Sequence, residues 1–249
     1  MSAMRPPVID LLCLPCAGAS ATMYLRWRRL LPEWIRVVPV ELPGRGSRLG
    51  EPFVENFDAL VARLTDEVAQ LAGSRWALFG HSMGALLAYG VVRRLQRASM
   101  PPPQVLFVSG SPAPSRRDPD RFAGKDDDVA LIADLRKQGG TPDEVFENPE
   151  LLRITLDTLG ADYRLCESFA YRPGTPFHMP MHAFGGRDDD IERERLEAWQ
   201  AEAGGPFSLH WFDGGHFFIR HHEKSVLQAV VGSLLQHLAG GRHAGAVLA

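Results

Sequence analysis

Short apolar runs alternate along the chain with stretches in which apolar residues recur every three to four positions. A strand buried on both faces reads as a nearly continuous hydrophobic run, whereas a helix lying on a sheet shows one apolar stripe. On that basis residues 8–14, 35–40, 75–79, 104–109, 178–184 and Phe207–Phe212 are predicted strands. Phe57, Leu60, Val61, Leu64, Val68 and Leu71 share one helical face, with Arg63, Asp66 and Glu67 between them. Residues 86–95 and 226–238 repeat that pattern. Strands and helices in alternation predict the α/β class, with a mostly parallel central sheet flanked by helices.

The rhythm fails between residues 112 and 176. A Pro/Ser/Arg-rich loop opens this region, and helix-like pieces follow at 128–137 and 149–169. About 60 residues without a strand is too long for a simple connection. The region therefore reads as a helical insertion, either a lid over a site or a set of packing helices. The Gly/Ala-rich residues 240–249 read as a frayed tail. Length and pattern together predict one domain over residues 1–249.

Composition narrows the function classes. With 45% hydrophobic and 23% charged residues, the chain has the balance of a folded globular protein. A net charge of -3 offers no electrostatic grip on nucleic acid or anionic lipid, so neither is an expected partner. The first apolar run is broken by Asp10 and ended by Pro15, unlike a signal peptide. No stretch approaches the roughly 18 apolar residues of a membrane span. The expectation is a cytoplasmic protein that needs no oligomer to act. Three cysteines, Cys13, Cys16 and Cys166, do not make a disulfide framework. The C-x-x-C of Cys13 and Cys16 reads as one strand and one loop cysteine rather than a redox pair. No cluster has metal-ligand spacing, so neither a metal nor a redox cofactor is expected.

The strongest local signal is Gly80-His81-Ser82-Met83-Gly84, a G-x-S-x-G. It lies between an apolar strand pattern, Trp76-Ala77-Leu78-Phe79, and a helix pattern, Ala85-Leu86-Leu87-Ala88-Tyr89. That context matches the nucleophile elbow, a sharp turn that lifts the serine Oγ above the sheet. A hydroxyl needs a base to become nucleophilic. Of nine histidines, His216 follows the last strand pattern, in Asp213-Gly214-Gly215-His216, and precedes the last helix. His221 and His222 enter that helix, and His81 sits within the elbow, where it does not suit a base. The base in turn needs a carboxylate to hold its tautomer. Gly185-Gly186-Arg187-Asp188-Asp189-Asp190 follows the fifth strand pattern and supplies three candidates. Asp189 is preferred for its G-x-x-D spacing from Gly186, with Asp188 as the alternative. For a developing oxyanion, the candidate backbone donors are Met83 and Ala17, the latter in the small-residue loop Pro15-Cys16-Ala17-Gly18-Ala19-Ser20. That loop also carries Ser20 and Thr22 as candidate helix caps.

In order along the chain, Leu14-Pro15-Cys16-Ala17-Gly18-Ala19, Glu41-Leu42-Pro43-Gly44-Arg45-Gly46-Ser47-Arg48, Gly80–Gly84, Gly185–Asp189 and Asp213-Gly214-Gly215-His216-Phe217 resemble the type II thioesterases of nonribosomal peptide and polyketide synthases. Cys16 and Ala19 depart from the pattern, since many relatives have an aromatic or His at the first and Gly at the second. The resemblance implies the α/β-hydrolase fold, a lid at 112–176, and catalysis by serine, histidine and aspartate without a cofactor. It implies a substrate carried on the phosphopantetheine arm of an acyl or peptidyl carrier protein, with hydrolysis that clears wrong or stalled acyl groups during antibiotic or siderophore assembly. Arg116, Arg117 and Arg121 are candidates to face an acidic carrier protein, although a solvated surface cluster is the preferred reading. The rivals are a medium-chain thioesterase of fatty-acid synthesis, a carboxylesterase, and an inactive hydrolase-fold binding module. The H-G-G-G loop of many esterases is absent.

Overall fold

Ile9–Leu14 (β1), Ile35–Pro39 (β2), Trp76–His81 (β3), Leu106–Ser109 (β4), Met181–Gly186 (β5) and Phe207–Phe212 (β6) form the strands of the computed structural model, which describes residues 9–240. They lie in one sheet in the order β2-β1-β3-β4-β5-β6, with every neighbouring pair parallel. Residue 8 of the first predicted strand and residues 241–249 of the predicted tail lie outside the described residues.

Alternate side chains of each strand enter two separate cores, as a pleated strand requires. Leu12, Leu14, Leu78, Leu106, Val108, Met181 and Ala183 face one side. Against them pack Phe57–Leu71 (α2) and Met83–Arg97 (α3), following the short Trp27–Leu30 (α1). The predicted stripe of α2 is buried from Phe57 to Val68, with Leu64 and Val68 fully enclosed, whereas Leu71 in the last turn is 44% exposed because the helix end runs past the sheet. Burying each such side chain contributes about 1.5–3 kcal/mol. Asn56 fixes the start of α2 by accepting the Ala59 N–H at 3.0 Å. Leu11, Cys13, Ala77, Phe79, Phe107 and Phe184 face the other side. They meet Tyr24, Trp27 and, beyond the insertion, the last helix, through Val226, Val230 and Leu234.

The insertion joins β4 to β5. It contains Asp128–Gln138 (α4), Asp143–Glu147 (α5) and Pro149–Glu167 (α6), and no strand lies within 112–176. Leu131, Leu156, Leu159 and Tyr163 give it a small apolar cluster of its own. Arg193–Glu197 (α7), Phe218–His221 (α8) and Glu223–Gly240 (α9) complete the chain.

Strand limits differ from the sequence expectation for local reasons. β3 runs on to His81, because Gly80 and His81 keep register with Val108 and Ser109. β5 starts at Met181 rather than 178, because Pro180 just before it has no N–H for a ladder. The three arginines differ in exposure. Arg116 is exposed, but Arg117 is turned inward, with its Nη1 donating to the Cys166 carbonyl at 3.0 Å and its guanidinium over Phe169. Arg121 reaches the buried Asp134 at 3.4 Å. A carbonyl and an aromatic partner inside the insertion draw Arg117 out of solvent, whereas the Arg121 side chain stays 39% exposed.

A histidine cluster joins β5 and β6 to α9. His182 is 6% exposed, its Nε2 lies 3.2 Å from His237 Nε2, and its Nδ1 pairs with Ser208, which also meets His210. Burial, then the neighbouring His237 and His210, lowers the His182 pKa to about 4. In the unfolded chain it returns to about 6.5. Between those values the unfolded state binds more protons, so His182 contributes stability that is complete above pH 6.5 and lost as pH falls toward 4. The thermal midpoint should therefore drop across that window, and His182→Gln should show a shallower drop in the same scan.

Candidate active site

The β3–α3 turn is strained where the sequence places a serine. Ser82 has φ 54° and ψ −117°, outside the ordinary regions for a residue with a side chain. Such a conformation costs about 1–3 kcal/mol and survives only if its surroundings enforce it. They do so by close backbone approach. A Cβ on Gly80 would lie 2.1 Å from the Gly84 carbonyl oxygen, and one on Gly84 would lie 2.2 Å from the Leu14 carbonyl oxygen. The Ser82 N–H is tied to the Ser109 carbonyl at 2.7 Å. Met83 opens α3, so its N–H is among those with no intrahelical acceptor.

β5 and β6 deliver the other two groups. Nδ1 of His216 lies 2.9 Å from Oδ2 of Asp189, whose side chain is 5% exposed. The carboxylate accepts the Nδ1 proton, which leaves Nε2 as the basic nitrogen. The three consecutive acids have different partners. Asp188 accepts the Gly214 N–H at 3.2 Å, and Asp190 pairs with Lys137 at 2.6 Å. Gly186 sits beneath the histidine loop, where a Cβ would meet the Gly214 and Gly215 carbonyl oxygens at 2.5 and 2.6 Å. His81 is fully buried beside His216, with ring centroids 5.1 Å apart. Burial, then the charge His216 acquires on protonation, holds His81 well below the usual histidine range, so it stays neutral. His221 ends α8, and His222 follows it.

The loop at 15–20 follows β1. The β1/β3 pair is where the strand order reverses direction, and loops there part to leave a crevice. Ala17, Ser82, Met83, Asp189 and His216 all line one cavity of about 810 Å³. Leu135, Leu159 and Tyr163 of the insertion line it as well. Ser20 caps the next turn by accepting the Thr22 N–H at 3.2 Å. The loop is held from several sides. Glu41 accepts the Ala21 N–H at 3.0 Å, and Asp162 of α6 accepts the Gly18 N–H at 2.8 Å. Arg45 pairs with both oxygens of Asp162 at 2.6 Å and donates to the Ala19 carbonyl at 3.3 Å.

Asp162 carries no local sequence signal. It lies in a helix 117 residues from its partner, and Arg45 stood out through resemblance alone. Arg220 was also unforeseen; it donates to the Gly140 carbonyl and so ties the end of α4 to the histidine loop. Cys13 and Cys16 are free, buried thiols, and burial pushes Cys16 up to about 12. Among the described residues, no three His, Cys, Asp or Glu side chains gather as a metal site. No helix among them is long and apolar enough to cross a membrane.

A serine on a strained turn in a doubly wound sheet, sharing a cavity with an imidazole held by a buried carboxylate, is the arrangement with which serine hydrolases of the α/β-hydrolase fold carry out acyl transfer. The chain belongs to the thioesterase family, whose thioesterase-domain model matches residues 10–234. It is similar to the linear gramicidin dehydrogenase LgrE of Brevibacillus parabrevis, at 36% identity over 92% of this chain and 89% of that one. It is 33% identical to thioesterase PikA5 of Streptomyces venezuelae, over 91% and 81% of the two chains. Among solved structures, the type II thioesterase BorB of the borrelidin biosynthetic cluster superposes with a TM-score of 0.83 at 37% identity, covering 94% of each chain. The first name describes a redox enzyme. The family model, PikA5, BorB and the nucleophile elbow all describe a hydrolase, and the assignment rests on them.

The glycine contacts give a direct test. Gly84→Ala should destabilise the protein by about 1–3 kcal/mol or more, since a methyl group is driven into backbone that cannot yield. Gly50→Ala, where a Cβ meets nothing within 4 Å, should leave the denaturation midpoint unchanged. Urea unfolding of both variants measures the difference.

Proposed function

We propose that the protein hydrolyses acyl groups from the phosphopantetheine arm of carrier proteins in a nonribosomal peptide or polyketide system, so that blocked synthases are cleared. The observation that carries this reading is the His216–Asp189 pair opening into the same cavity as the strained Ser82. Membership of the thioesterase family and likeness to a type II thioesterase of a biosynthetic cluster support the choice of substrate.

In the proposed cycle, Nε2 of His216 takes the Ser82 proton as Oγ attacks the thioester carbonyl. The Met83 and Ala17 N–H groups receive the oxyanion. Collapse of the tetrahedral intermediate breaks the C–S bond, and His216 returns the proton to the pantetheine thiolate. Water, deprotonated by His216, then attacks the acyl-serine and releases the free acid and Ser82. Asp189 stabilises the imidazolium that forms in each half-reaction. Each step uses groups of the protein, water and substrate; the phosphopantetheine belongs to the carrier. The insertion serves as a lid whose inner face contacts the acyl chain.

Ser82→Ala should reduce thioester hydrolysis on an acyl-carrier substrate to background while the fold persists. Wild-type turnover in that variant would overturn the reading. Asp189→Asn should lower kcat by about 10³–10⁴, whereas Asp188→Asn should stay within about tenfold of wild type, because its partner is a loop N–H rather than the imidazole. Steady-state rates on the same substrate separate the two acids.

A further inference from the structure

We infer that Arg45 and Asp162 are positioning residues that set the oxyanion loop, and that through them α6 must be docked for that loop to be catalytically competent. The inference rests on the reading of Ser82 and Ala17 just given.

Asp162 Oδ2 accepts the Gly18 N–H, the donor immediately after Ala17. That bond fixes the Ala17–Gly18 peptide plane and removes the Gly18 N–H from competition for the oxyanion. Gly18 has φ +73°, and a Cβ there would lie 3.2 Å from Leu159 Cδ1, so the loop is pressed against α6 itself. Arg45 holds the following residue through the Ala19 carbonyl. The loop is therefore pinned on both sides of Gly18 by one ion pair. Arg45 is held in turn by its own segment. Arg48 donates to the Glu41 carbonyl at 3.0 Å and bridges Glu51 and Glu67, while Glu41 accepts the Ala21 N–H. The Glu41–Arg48 block, which the catalytic cycle leaves without a role, thus becomes the scaffold of the oxyanion loop.

Charge explains why the pair is bidentate and closed to water. A lone carboxylate this near the donor would repel the oxyanion that the loop must stabilise. Two hydrogen bonds of 2.6 Å to Arg45 neutralise it, and the side chains are only 6% and 3% exposed. Little solvent is present to screen an unpaired charge. Asp162 supplies the geometric hold, and Arg45 makes that hold compatible with catalysis. Because Asp162 belongs to α6, displacement of the insertion releases Gly18 and disarms the site.

The test uses the full chain and a simple acyl thioester, with an acyl trifluoromethyl ketone as probe. The ketone's adduct with Ser82 bears a tetrahedral oxyanion, so its Ki reports the oxyanion site. Breaking one partner leaves a buried charge and endangers folding, so Arg45→Met is paired with the double variant Arg45→Met/Asp162→Leu, which replaces the ion pair with apolar groups. In the folded double variant kcat should fall roughly 10- to 100-fold with KM within about threefold. The ketone's Ki should rise by the same factor as kcat/KM falls. Arg45→Lys should retain more activity than Arg45→Met. A merely structural role would lower the concentration of active enzyme and leave Ki at the wild-type value; that result, or full activity in the double variant, overturns the inference. Failure of the underlying reading looks different: the wild-type protein would not bind the ketone, or Ser82→Ala would bind it equally well.

Discussion

Gly84 at the start of α3 sits against the carbonyls of Leu14 and Pro15, close enough that no side chain fits between them. This backbone contact joins the end of β1 to the end of β3, and much of the site geometry depends on it. It helps to force the conformation of Ser82, and it brings the 15–20 loop alongside the first N–H of α3. Gly186 repeats the device at β5, beneath the loop that carries His216. Glycine at these positions serves approach rather than flexibility, because the strands end where three segments of backbone must converge.

Electrostatics then hold what the backbone brings together. Two ion pairs, Arg45–Asp162 and Arg93–Glu202, are almost wholly removed from water, each with side chains 6% and 3% exposed. A buried pair adds little net stability over an apolar substitute, but loss of one partner costs about 3–5 kcal/mol. Such pairs therefore act as selectors of one arrangement of loop and helix. Asp190–Lys137 and the Arg220–Gly140 contact tie the insertion to the acid and histidine loops in the same sense, though from exposed positions.

The central architecture was legible in the chain because its signals are local. Apolar runs located all six strands, and the stripe from Phe57 to Val68 gave the face of α2. The G-x-S-x-G context placed Ser82 at a strand-to-helix turn. Three neighbouring acids were harder to separate, since spacing favours one only if the turn after Gly186 is known. The structure separates them by partner: imidazole for Asp189, backbone for Asp188 and lysine for Asp190. Of the arginines at 116, 117 and 121, only Arg117 departs from a solvated reading, because composition cannot distinguish an exposed guanidinium from one folded under its own insertion. Asp162 was illegible altogether. A carboxylate on the buried face of an amphipathic helix finds its meaning in a partner contributed by a distant loop.

Cys16 lies in the 15–20 loop and lines the same cavity as Ser82. A thiolate in that position would exchange with an incoming thioester and capture the acyl group on sulfur. Burial prevents this. Its pKa is pushed up to about 12, so at neutral pH the thiol stays protonated. Desolvation, aided by the Asp162 carboxylate, outweighs the nearby Arg220 and Arg45, whose charges favour the thiolate, so a thiol can line the cavity beside Ser82 without becoming a reactive group.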